Sequence, residues 1–128
     1  MRLVLVRHAE AESGEPDELR RLTATGRAQA EELGARLRKD GIAPSAVLTS
    51  PLLRARETAA ALGLGAPEPH GALAPGASPE GVLGAVRGRG EVVVVVGHQP
   101  DCGRIAAALG GGEPPFPPAG VAVLDLSV

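Results

Sequence analysis

Five consecutive valines at residues 92–96 constrain this chain more than any other stretch. A β-branched run with no polar alternation fits a strand covered on both faces, and such strands lie inside parallel sheets. Parallel pairing needs crossover connections, usually helices. The rest of the chain supplies strands and helices in alternation. Residues 3–6 form a second continuous apolar run, 46–49 a short third strand, and 121–126 an alternating strand suited to an edge. Helices are expected from a cap at Thr23 or Thr25 to about Lys39, and from Ser50-Pro51 to about Leu62. Two more are expected, from Ser78-Pro79-Glu80 to about Arg87 and from Pro100 or Asp101 to about Leu109. Asp40-Gly41 and Gly63 mark helix ends. Residues 10–18, 65–79 and 110–118 read as loops, and Gly110-Gly111-Gly112, which follows a helix, as a flexible connection rather than a phosphate loop. The expected fold is a three-layer α/β/α sandwich with a mostly parallel central sheet and an antiparallel edge strand.

A length of 128 residues suits a single domain, 1–128, with one core. Phe116 is the only aromatic residue, so Val, Leu, Ala and Ile must fill that core. A net charge of -2 offers no basic field for nucleic acid. The apolar start of the chain ends at Arg7 and is too short for a membrane span or a leader. Cys102 is the only cysteine, which excludes an intrachain disulfide and reads as a small buried thiol rather than a nucleophile. These features point to a soluble, cytoplasmic protein, expected to be a monomer with no nucleic-acid or membrane partner.

Reactive residues follow the strands. Arg7-His8 comes after the first, Ser50-Pro51-Leu52-Leu53-Arg54 after the second, and Gly97-His98 after the valine run. If these strands are parallel, two arginines and two histidines meet at one rim, the carboxyl ends of the sheet, where such folds bind ligands. Arginine matches the oxygens of a phosphoryl group with paired donors, and a protonated histidine adds another. Helices starting near Pro51 and Pro100 would direct N–H groups to the same rim. A neutral histidine whose other nitrogen is held by a backbone carbonyl can attack phosphorus. The surrounding cations would stabilise the transition state. Zinc on His8, His98 and Asp101 would be opposed by the two arginines. His70, in the Pro-rich stretch, reads as structural or surface, and Arg56 as solvated.

Four motifs in order carry a resemblance across nearly the whole chain: residues 5–10 (Leu-Val-Arg-His-Ala-Glu), 22–26 (Leu-Thr-Ala-Thr-Gly), 50–59 (Ser-Pro-Leu-Leu-Arg-Ala-Arg-Glu-Thr-Ala) and 96–100 (Val-Gly-His-Gln-Pro). Together they resemble the histidine phosphatase, or phosphoglycerate-mutase-like, superfamily, and the shortness resembles its SixA-type phosphohistidine phosphatases. The resemblance implies that His8 is the phosphorylated nucleophile, with Arg7, Arg54 and His98 around the phosphate and no metal or cofactor. Arg20 resembles a SixA-type arginine near the site, and Gln99 can contribute its backbone N–H to substrate.

Two departures stand out. Ala9 occupies a position where many members have glycine. The insertion between the second and third helices, which in larger members covers the site and supplies an acid, is missing. Glu68 is the only carboxylate in residues 65–79; Glu10, Glu12 and Glu80 are other conceivable acids, and none matches the motif. Departure of an alkoxide benefits from a general acid, whereas a histidine leaving group needs less help. An uncovered site also admits a folded partner. The expectation is therefore a metal-independent phosphatase acting on phosphohistidine carried by a protein. The alternatives are a phosphomonoesterase for small sugar or nucleotide-type phosphate esters, and a non-enzymatic phosphate-binding module.

Overall fold

A computed structural model describes residues 1–127. Its strands are β1 (Arg2–Arg7), β2 (Ala46–Thr49), β3 (Pro67–Pro69), β4 (Val92–Gly97) and β5 (Val121–Asp125). Its α-helices are α1 (Ala24–Lys39), α2 (Leu53–Leu62), α3 (Pro79–Val86) and α4 (Asp101–Ala108). The sheet order is β3-β2-β4-β1-β5; the first four strands are parallel, and β5 runs antiparallel along β1 at the edge.

The valine run is central for the expected reason. Val93 and Val95 join Leu3, Leu5 and Leu48 on one face, packed with Val82 and Val86 of α3, Ile105 of α4 and Phe116. Val94 and Val96 join Val4, Val6 and Val47 on the other, packed with Leu33 and Leu37 of α1 and Ala55, Ala59 and Leu62 of α2. Both faces of the sheet are thus covered, which is the three-layer arrangement. Each fully buried Val or Leu contributes about 1.5–3 kcal/mol relative to exposure. Gly34 lets α1 approach α2 closely, since a Cβ there would overlap the Leu62 carbonyl.

Helix boundaries follow local capping chemistry at three ends. Thr23 accepts a hydrogen bond from Gly26 N–H at 2.9 Å, Ser78 from Gly81 N–H at 3.0 Å, and Gly63 closes α2 with φ 65°.

Three expectations are corrected. The second helix begins at Leu53, not at Ser50-Pro51: Ser50 Oγ accepts from Leu52 N–H at 3.3 Å in a turn before the helix and lies 2.7 Å from His98 Nε2. Residues 65–79, read as a loop, contain β3 and a 3-10 turn, Gly71–Leu73. Pro67 and Pro69 hid the strand, yet an edge position tolerates prolines because one side of the strand needs no donors. Residues 10–18 likewise hold part of a 3-10 turn, Asp17–Leu19. Among the described residues, no helix is long and apolar enough to cross a membrane.

Candidate active site

Parallel pairing of β4 with both β1 and β2 brings three chain segments together at the carboxyl rim. His8 N–H donates to the Gly97 carbonyl at 2.9 Å, and Ser50 N–H to the Val96 carbonyl at 2.9 Å. The His8 and His98 rings therefore face each other across the β1–β4 pair, with centroids 5.3 Å apart and planes inclined at 58°.

His8 Nδ1 lies 2.7 Å from the Ala9 carbonyl. A carbonyl only accepts, so Nδ1 carries the proton and Nε2 keeps a lone pair. Burial lowers the His8 pKa to about 4, helped by the charges of Arg54, Arg7 and Arg20 and opposed by the Ala9 hydrogen bond. His98 is buried, and its Nε2 lies 2.7 Å from Ser50 Oγ. Its pKa is also lowered to about 4, first by burial, then by His8, Arg54 and Arg7, against the opposing charge of Asp17. Both rings are therefore neutral near pH 7.

Arg54 occupies the first turn of α2, its side chain only 8% exposed. Its Nη1 donates to the Asp17 carbonyl at 2.9 Å, and its Nη2 lies 3.3 Å from Asp17 Oδ2. Arg7 Nη1 donates to the Phe116 carbonyl at 3.0 Å. Arg7 Nε, Arg54 Nε and His98 Nδ1 are buried without a hydrogen-bond partner. Unpaired buried polar groups are costly, so three on adjoining residues favour a ligand rich in acceptor oxygens. Thr58 ties the two halves together: its hydroxyl accepts from Ala9 N–H at 3.0 Å and donates to the Arg54 carbonyl at 2.8 Å.

The structure thus assembles His8, Arg7, Arg54 and His98. Arg20 stands beside them, its Nε donating to the Glu12 carbonyl at 2.6 Å and its Nη1 to Asp17 Oδ1 at 3.0 Å. The Gln99 side chain is exposed and accepts from Gly103 N–H at 2.8 Å, a capping contact on α4. Arg56 is exposed. Glu68 pairs with Arg89 at 2.6 Å on β3. Asp101 Oδ2 accepts from Gly76 and Ala77 N–H groups, so its carboxylate anchors that loop to the start of α4. Among the described residues, no cluster of three or more His, Cys, Asp or Glu could hold a metal ion. The Cys102 thiol is pushed up to about 12 by burial and then by Asp101, which makes it inert as a nucleophile. A cavity of about 580 Å³ lined by Met1, Leu83, Val86 and Arg87 opens at the opposite end of the sheet.

Sequence reasoning missed Asp17, the His98-holding role of Ser50, and Thr58. Ser50 and Thr58 lay within a recognised motif, so proximity to Arg54 was a usable signal. Asp17, in a polar stretch of no evident pattern, carried none.

A family model for the histidine phosphatase superfamily (branch 1) matches residues 3–72. An uncharacterized protein of Picosynechococcus sp. is 39% identical over 102 residues, which cover 73% of this chain and 62% of that protein. The chain thus spans about three fifths of that curated relative. A solved structure from Nakamurella multipartitia, provisionally described as phosphohistidine phosphatase SixA, shares 31% identity with a TM-score of 0.84, covering 95% of this chain and 82% of that one. Another solved structure, the protein histidine phosphatase SixA complexed with tungstate, shares the fold at 24% identity with a TM-score of 0.85, covering 96% and 86% of the two chains.

Proposed function

The chain belongs to the histidine phosphatase superfamily, and on that premise we propose that it is a metal-independent phosphatase that passes the phosphoryl group through His8 to water. One observation carries the reading: the 2.7 Å contact from His8 Nδ1 to the Ala9 carbonyl, which leaves Nε2 unprotonated and fixed in direction. Nε2 attacks phosphorus, the bond to the leaving group breaks, and its electron pair departs with that group. Water then attacks the same phosphorus, and the P–Nε2 pair returns to the ring. Arg7 and Arg54 bind the oxygens throughout. With the Ser50 hydroxyl donating to Nε2 of His98, Nδ1 of that ring carries a proton and becomes a further donor.

The proposed substrate is phosphohistidine on a partner protein. Residues 65–79 support this: they form a short strand and turn, and their one carboxylate, Glu68, is paired with Arg89 rather than offered as a general acid. The Nakamurella relative's description points the same way. A small phosphate ester as the preferred substrate is the outcome that would overturn this choice.

The test is rapid quenching with a radiolabelled phosphohistidine protein. Wild type should carry acid-labile label, His8→Ala should carry none, and a chelator should change neither. Undiminished turnover by His8→Ala refutes the mechanism, and loss of activity with a chelator refutes metal independence.

A further inference from the structure

We propose that Asp17 selects the leaving group: its carboxylate receives an N–H of the departing imidazole and favours phosphohistidine over phosphate esters. This rests on the phosphatase reading above.

Asp17 is bound directly to the guanidinium groups of the site. Its Oδ1 accepts from Arg20 Nη1 at 3.0 Å, its Oδ2 lies 3.3 Å from Arg54 Nη2, and its backbone carbonyl accepts from Arg54 Nη1 at 2.9 Å. The side chain is nevertheless 52% exposed, so it borders both the cationic pocket and solvent. An ionised carboxylate offers about four lone-pair positions, and the two arginine contacts leave some open. The hydrogen bond from Arg20, with the charge and hydrogen bond of Arg54, holds the Asp17 carboxyl below its usual range.

A carboxylate kept ionised there treats the two substrate classes oppositely. An ester releases an oxyanion, which needs a proton that Asp17 does not hold and which its charge repels. Phosphohistidine reacts when the ring nitrogen not bonded to phosphorus is protonated. The P–N bond breaks, its electron pair stays on the departing nitrogen, and a neutral imidazole leaves with its proton still on the other nitrogen. A hydrogen bond from that N–H to Asp17 stabilises the protonated, reactive form.

The test compares kcat/KM for a phosphohistidine-bearing protein and for an alkyl phosphate ester, β-glycerophosphate, in wild type, Asp17→Asn and Asp17→Glu. Asparagine preserves shape, and the Asp17 backbone carbonyl still receives Arg54. The ratio of phosphohistidine to ester turnover should fall about tenfold in Asp17→Asn and recover in Asp17→Glu. A merely structural role would lower both substrates together, so a ratio within twofold of wild type overturns the inference alone. Wild type that hydrolyses the ester but never phosphohistidine overturns the substrate reading, and this inference with it.

Discussion

Ser50 Oγ lies 2.7 Å from His98 Nε2, and both residues are buried. The serine that the chain pattern assigns to a helix cap accepts from Leu52 N–H before the helix and also orients a ring at the candidate site. Ser50→Ala leaves a buried ring nitrogen without its partner, which costs about 1–3 kcal/mol. The expected result is a fall in kcat/KM of about tenfold or more, with a lower melting temperature. Wild-type kinetics in a folded Ser50→Ala protein would show that His98 does not depend on this contact.

The two buried histidines make stability depend on pH. Both have a folded pKa lowered to about 4 from the ordinary 6.5. Between those values the unfolded chain binds more protons than the folded one, so stability rises with pH. Acidification from about 6.5 to about 4 therefore weakens the fold. Ring-nitrogen NMR at pH 5.5 should report neutral His8 and His98. Inorganic phosphate, the product of the proposed reaction, should raise their midpoints, because the bound anion offsets Arg54 and Arg7. Midpoints near 6.5 without ligand would contradict this account.

Arg54 presents a buried fork, with Nη1 and Nη2 on Asp17 and Nε unpartnered. Lysine carries the charge as a single point and lacks the Nε–H. Arg54→Lys should lower kcat/KM about a hundredfold and weaken the binding of inorganic phosphate, measured by calorimetry. Activity within a few-fold of wild type would mean that charge alone suffices.

Gly34 reverses the usual rule for helices. Alanine in a helix interior is ordinarily better than glycine by about 1 kcal/mol. Here a Cβ would overlap the Leu62 carbonyl where α1 meets α2. Gly34→Ala should cost about 1–3 kcal/mol and lower the melting temperature by several degrees. A stabilised variant would show that the two helices can separate freely.

Much of the architecture was legible because it rests on local pattern. The valine run placed the central strand, and the strand–helix alternation placed Arg7, His8 and His98 at one rim. Thr23, Ser78 and Gly63 marked helix ends through chemistry within a few residues of themselves. β3 was not legible, since Pro67, Glu68 and Pro69 carry no strand signal and are ordered by pairing with Val47, Leu48 and Thr49.

By itself the sequence determined four of the five strands and the four α-helices, and which reactive residue follows each of three strands, because burial and capping preferences act over a few neighbouring positions. The tertiary structure decided what those residues contact. Asp17 meets Arg54 across 37 positions, and Ser50 meets His98 across 48. The low pKa of both histidines arises from burial and from charges brought in by other segments. Such contacts exist only once the sheet has aligned its strand ends, since hydrogen bonding and desolvation depend on distances in space that chain spacing does not set.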